Sequence, residues 1–202
     1  AISAVDQSKG SFEDKFRQLD EAFPSPNLSR PATGEPGPTY WQQRADYKIQ
    51  IKLNEESRSV EGSETITYTN NSPLTLKYIW LQLDQNIFKS DSVKNQTITQ
   101  SSTSRISFSE LRRNNFMDKF DGGYKNLSIS IAGKKVKVNL VGTLVRVNLD
   151  TPLEENKSIE LSVNWEYKLV EENAVRARNG YETFEDGNDI FLVAQWYPRV
   201  AA

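Results

Sequence analysis

The chain has 202 residues, and its 25 basic and 27 acidic side chains leave a formal charge of -2. Its basic residues form no stripe, the densest pairs being Arg112-Arg113 and Lys134-Lys135, so nucleic acid is excluded as the natural partner. It contains neither cysteine nor histidine, which removes disulfides, thiolate or imidazole metal sites, and every Ser-His or Cys-His catalytic pair.

What chemistry remains is narrow. A metal held by this chain would need oxygen ligands. Acid–base work would fall to carboxylates, Lys or Tyr. No apolar run approaches the roughly 18 residues that span a bilayer, so no transmembrane segment is expected.

Residues 1–38 read as an N-terminal helix and linker. Phe12, Phe16, Leu19 and Phe23 stand at helical spacing, with Ser11 as N-cap and Asp14 in the capping-box position. Pro24 and Pro26 end that helix. The run Arg30-Pro-Ala-Thr-Gly-Glu-Pro-Gly-Pro38 predicts an extended linker.

From Tyr40 the period changes to two. Tyr47, Ile49, Ile51 and Leu53 alternate with Lys48, Gln50 and Lys52, predicting a half-buried strand. Val60 to Tyr68 alternates again, with Ile66 and Tyr68 inward and Thr65 and Thr67 outward. Asn70-Asn71-Ser72-Pro73 predicts a turn. Leu74 to Leu83 carries apolar residues on both faces, Tyr78 and Trp80 on one and Ile79 and Leu81 on the other, which predicts a strand buried on both sides. Trp80 and Trp165 are therefore expected in the core.

Residues 85–123 are less regular, and a short strand at 105–108 is expected inside a long excursion. Strands resume at 127–131, 136–140, 144–149 and 159–167, with Gly133 and Gly142 marking hairpin turns. A charged loop, 171–189, leads to a last strand at 190–197. Regularly spaced turns between short strands predict an all-β fold, an antiparallel β-sandwich or open twisted sheet pair of about 8–10 strands. The β domain is expected to occupy 39–202.

Acidic clusters at Glu154-Glu155, Glu171-Glu172 and Glu182 to Asp186 lie in turns, where acids are ordinarily solvated. Glu185-Asp-Gly-Asn-Asp189 lacks the alternating acids and terminal Glu of a calcium loop. No catalytic residue is assigned. The candidate binding residues are Gln195, Trp196 and Tyr197, at the end of the last predicted strand, with Arg176, Arg178 and Tyr181 in the preceding loop.

Five stretches resemble the N-terminal β domain of bacterial aminopeptidase-N-like zinc metallopeptidases, the gluzincin aminopeptidases. They are Pro38-Thr-Tyr-Trp-Gln-Gln-Arg-Ala-Asp-Tyr-Lys-Ile-Gln-Ile51, Gly62-Ser-Glu-Thr-Ile-Thr-Tyr-Thr-Asn-Asn-Ser-Pro73, Leu76-Lys-Tyr-Ile-Trp-Leu-Gln-Leu-Asp-Gln-Asn86, Gly180-Tyr-Glu-Thr-Phe184 and Ala194-Gln-Trp-Tyr-Pro-Arg199. The resemblance implies a non-catalytic domain of a longer, extracytoplasmic parent (periplasmic or membrane-associated through other parts). A thermolysin-like domain would follow, bearing H-E-x-x-H and a downstream Glu for zinc. This chain would then hold no cofactor, and its partners would be that downstream domain and a peptide substrate.

In that family, acceptors for the substrate's free amine come from a Gln-x-Glu or Gln-x-Gln pattern. Gln195 matches the first position, whereas Tyr197 supplies neither acid nor amide at the second. Two readings from other classes stand beside this one. The first is a free-standing glycan- or protein-binding module of the cell envelope using Trp196 and Tyr197. The second is a purely structural or adhesive surface domain.

Overall fold

The computed structural model describes residues 26–92, 96–97, 107–175 and 177–201. The predicted helix at 11–23 lies outside the described residues, as does Arg176. The chain divides into two compact units, Ala1–Gln42 and Gln43–Ala202.

In the first unit, the Pro/Gly run is not extended. Asn27 accepts hydrogen bonds from the backbone N–H groups of Ser29 and Arg30 (2.9 Å each), and Gly37 N–H donates to Ser29 O (3.0 Å). A Cβ on Gly37 would fall 1.9 Å from the Leu28 carbonyl oxygen, so only glycine allows this close approach. The polar side chain and the glycine fold the segment back where composition alone suggested a spacer.

The second unit is all-β. Its strands are β1 (Arg44–Asn54), β2 (Ser59–Asn70), β3 (Leu76–Gln82), β4 (Lys125–Ile131), β5 (Lys134–Lys135), β6 (Val138–Val141), β7 (Leu144–Leu153), β8 (Lys157–Lys168), β9 (Gly180–Thr183), β10 (Asp189–Leu192) and β11 (Arg199–Val200). A five-stranded antiparallel sheet runs β1-β2-β8-β4-β5, and a four-stranded one runs β11-β3-β7-β6. The β9–β10 hairpin forms a third, two-stranded sheet.

One core cluster draws on both larger sheets. Ile66, Tyr68, Leu161, Val163, Trp165 and Tyr167 come from β2 and β8, and Ile79, Leu81, Val145 and Val147 from β3 and β7. The period of two does the sorting: Thr65, Thr67, Ser162 and Asn164 lie on the opposite face of their strands. The turn after β2 is tied down by Asn70, wholly buried, which donates to the Leu74 and Leu153 carbonyls (2.7 and 3.0 Å). Asn70 also accepts from Gln43 and Ser72 (2.9 and 2.6 Å), so its burial leaves no polar atom unpaired.

Several expectations need correction. β3 is buried on one face only: Ile79 and Leu81 are inside, whereas Tyr78 is 42% exposed and Trp80 is half-buried on the outer face. Trp80 is therefore not a core residue, while Trp165, 3% exposed, is. Trp80 packs edge-on to Tyr78 (6.4 Å), and the Arg146 guanidinium lies 3.9 Å over the Tyr78 ring, so the side chains of this face shield one another only in part. Ile51 and Leu53, at 50% and 41% exposed, are not buried either, because β1 is an edge strand.

The strand expected at 105–108 is contradicted where it is described: Ser107 caps a helix, α1 (Phe108–Lys119). Its signal was present in Ser107-x-x-Glu110, a capping box in which each residue's side chain receives the other's backbone N–H. The exposed Arg112–Asn115 run hid the helical period. α1 is held by Phe116, stacked on Phe120 at 4.9 Å, beside the small buried cluster Val170, Ala174 and Val175. No helix among the described residues is long and apolar enough to cross a membrane.

Candidate functional site

The candidate residues sit on two segments joined by one short turn. After β3 the chain enters a 3-10 turn, Asp84–Phe88, in which Gln85 and Asn86 are buried. Gln85 accepts a hydrogen bond from the Asn179 amide (2.5 Å) and donates to the carbonyls of Gln195 (3.1 Å) and Ala194 (3.4 Å). The adjacent Asn86 accepts from Tyr124 N–H (3.0 Å) and donates to the Gly142 carbonyl (3.3 Å). Asp84 receives the Arg199 guanidinium (3.1 Å) and the Gln82 amide (2.9 Å). The hydrogen bond and charge of Asp84 hold the Arg199 guanidinium above its ordinary pKa.

Gln195 is not at the end of a strand. The strand expected at 190–197 stops at Leu192 (β10), and 193–198 is an irregular connection to β11. Gln195 has φ +51°, in the left-handed region that costs a non-glycine residue conformational energy. Its carbonyl is pinned by Gln85 while its side chain is exposed. A strained backbone fixed from below and a free amide above leave Gln195 able to offer one acceptor and two donors to a ligand.

Trp196 and Tyr197 are half-buried against the core. Their rings lie 4.8 Å apart, and Tyr197 meets Tyr47 edge-on at 5.4 Å. The Tyr47 hydroxyl accepts from Val200 N–H (2.9 Å), and burial raises its pKa. Much of both aromatic surfaces is thus used in packing.

Tyr181 belongs to β9. Arg58, in the β1–β2 turn, lies 4.2 Å over its ring and donates to its hydroxyl (3.3 Å) and to Asp189 (3.0 Å). The Thr183 hydroxyl donates to Asp189 as well, and this bond, followed by Arg58, holds the Asp189 carboxyl below the usual carboxylate range. Tyr181 is therefore a clasp for the hairpin as much as a surface group. Arg178 is exposed, one residue from buried Asn179.

Gln85 therefore brings the 178–181 and 194–197 segments onto one anchor. The sequence reading missed Gln85, Asn86 and Asn179. The available signal was the adjacent amide pair Gln85-Asn86 between the apolar residues Leu83 and Ile87. Nothing local marked Arg58, whose partners lie more than a hundred residues away.

The acidic turns serve their own geometry. Asp186 caps the β9–β10 loop by accepting from Asn188 (3.0 Å), and Asp189 is taken by Arg58. Among the described residues no three His, Cys, Asp or Glu side chains are placed to hold a metal. Zinc in the implied family needs imidazole, and the residues of this chain do not fit it.

No family model and no curated protein matches the sequence. Among solved structures, the chain is distantly similar to the M1 zinc metallopeptidase of Deinococcus radiodurans. The match has 14% identity and a TM-score of 0.40, covering 72% of this chain and 25% of the other. A mutant of that enzyme bound to a Tyr-Ser-Ala substrate matches at 13% identity and a TM-score of 0.39, covering 67% and 23%. The chain thus spans about a quarter of the length of these structures.

Proposed function

We propose that the β domain is a non-catalytic part of a zinc-dependent aminopeptidase, walling one side of its active-site cleft and presenting Gln195 to the substrate's free N-terminus. One observation carries this reading. Two separated stretches that resemble the aminopeptidase β domain, Leu76–Asn86 and Ala194–Arg199, meet at the turn Asp84–Asn86 through the Gln195 carbonyl and Arg199, and Asn179, the residue before the third stretch, Gly180–Phe184, is bonded to the same turn. Their common position in space gives one physical reason for a pattern that no single stretch explains.

The chemistry asked of Gln195 is modest. An α-ammonium moved out of water needs acceptors to offset its desolvation. The exposed amide of Gln195 supplies one on a backbone already fixed. Zinc and the hydrolytic groups would belong to another part of the same polypeptide, in an extracytoplasmic setting. Trp196 and Tyr197 turn much of their surface to each other and to Tyr47, which disfavours a stacking platform for glycans.

The test compares Gln195→Ala with wild type in the full-length polypeptide, on peptides with free and with acetylated N-termini. A hydrogen bond to a charged group is worth roughly 1.5–3 kcal/mol. Catalytic efficiency on free N-termini should therefore fall roughly tenfold to a hundredfold, with acetylated peptides unchanged. Equal losses on both, or no peptidase activity in the wild-type polypeptide, would overturn the reading.

A further inference from the structure

Among the described residues, Glu64 is the one carboxylate that the core encloses. It lies on the inner face of β2 between Gly62 and Ile66, is 3% exposed, and pairs in register with Ile49 of β1 and Val163 of β8. Neither carboxyl oxygen has a hydrogen-bond partner, and none of the ion pairs among the described residues includes it. Three other buried polar atoms on this inner side are likewise unpaired: Trp165 Nε1 and the hydroxyls of Tyr124 and Tyr167. Buried polar groups are nearly always satisfied, so five unpaired atoms on four side chains in one core are unusual.

Among the described residues, the surroundings hold no free countercharge. The titratable groups reaching this region are Tyr47 from β1, Tyr68 from β2 itself, Tyr167 from β8, Tyr124 ahead of β4, Tyr197 ahead of β11, Asp84 from the 3-10 turn and Arg199 from β11. Burial raises the pKa of Tyr47, Tyr68, Tyr124 and Tyr167, which keeps these four neutral. Arg199, the cation of the set, is committed to Asp84. Arg146 of β7 lies on the outer face over Tyr78.

We propose that Glu64 is a buried proton-binding site, carried as a neutral carboxylic acid in the folded core, whose ionisation opposes closure of the two sheets. An ionised carboxylate in this setting would be an unpaired buried charge. Burial raises its pKa from 4.5 to about 8. The sign follows from linkage: between those values the folded state binds a proton that the unfolded state has lost. Stability from this group is full below about 4.5, declines as pH rises, and levels off above about 8. The inference is independent of any peptidase role.

Two measurements on the chain test it. The Glu64 side-chain carboxyl, followed by carbon NMR, should titrate near 8 rather than near 4.5. Glu64→Gln keeps the shape and removes the charge. Its Tm should match wild type near pH 5 and exceed it at pH 9, abolishing most of the wild-type decline between. A carboxyl midpoint near 4.5 would overturn the proposal. So would Tm curves for wild type and variant that run parallel from pH 5 to 9. If the variant fails to fold, the wild-type NMR titration alone decides.

Discussion

The indole of Trp165 lies over Gly62, its register partner across β2 and β8: a Cβ on Gly62 would fall 2.3 Å from Trp165 Cζ2. Glycine in a strand marks such a close approach. Gly62→Ala should therefore destabilise by about 1–3 kcal/mol, the usual cost of overpacking. Trp165→Ala should cost about 3–5 kcal/mol. In the Trp165→Ala background, Gly62→Ala should become neutral or mildly stabilising, since the clash is gone. Urea unfolding of the four proteins measures the cycle, and simple additivity would contradict the packing.

Trp80 makes the contrast. It sits on the outer face of β3, half-buried beside Tyr78. Trp80→Ala should cost roughly 1–2 kcal/mol, because only part of its apolar area leaves water on folding. A loss as large as that of Trp165→Ala would mean that the outer face is covered in solution.

Gln85 is a test of the site's architecture. Gln85→Ala leaves buried Asn179 and two carbonyls without their partner. Orphaned buried groups cost about 1–3 kcal/mol each. The variant should lose stability on that scale, and limited proteolysis should cut first near 177–181 or 193–196. First cuts elsewhere would mean that other contacts hold these segments.

Asp189 should respond to pH in the direction opposite to Glu64. Its folded-state pKa is lowered, so the clasp is complete above the ordinary carboxylate range and is lost as pH falls below it. Asp189→Asn should reduce amide protection in β9 and β10 at neutral pH while leaving β2 and β8 unchanged. Undiminished protection in the hairpin would show that Arg58 and Thr183 are dispensable to it.

The sequence alone determined the all-β class, the main strands of both large sheets, and the glycine turns at Gly133 and Gly142, both with positive φ. These follow from local rules: side chains alternate along a strand, and hairpin turns select residues that tolerate left-handed backbone. The same rules placed Trp165 correctly on the core face. They placed Trp80 wrongly, because an apolar run looks alike whether one or both faces are covered, and coverage is decided by the other sheet. Gln195 was legible as a residue of interest but not as a left-handed kink pinned by Gln85, a bond across 110 residues. Arg58 and Glu64 show the same limit. Each is an ordinary polar residue in an alternating strand or turn, and only the packing of distant strands makes one a clasp and the other an acid sealed away from water.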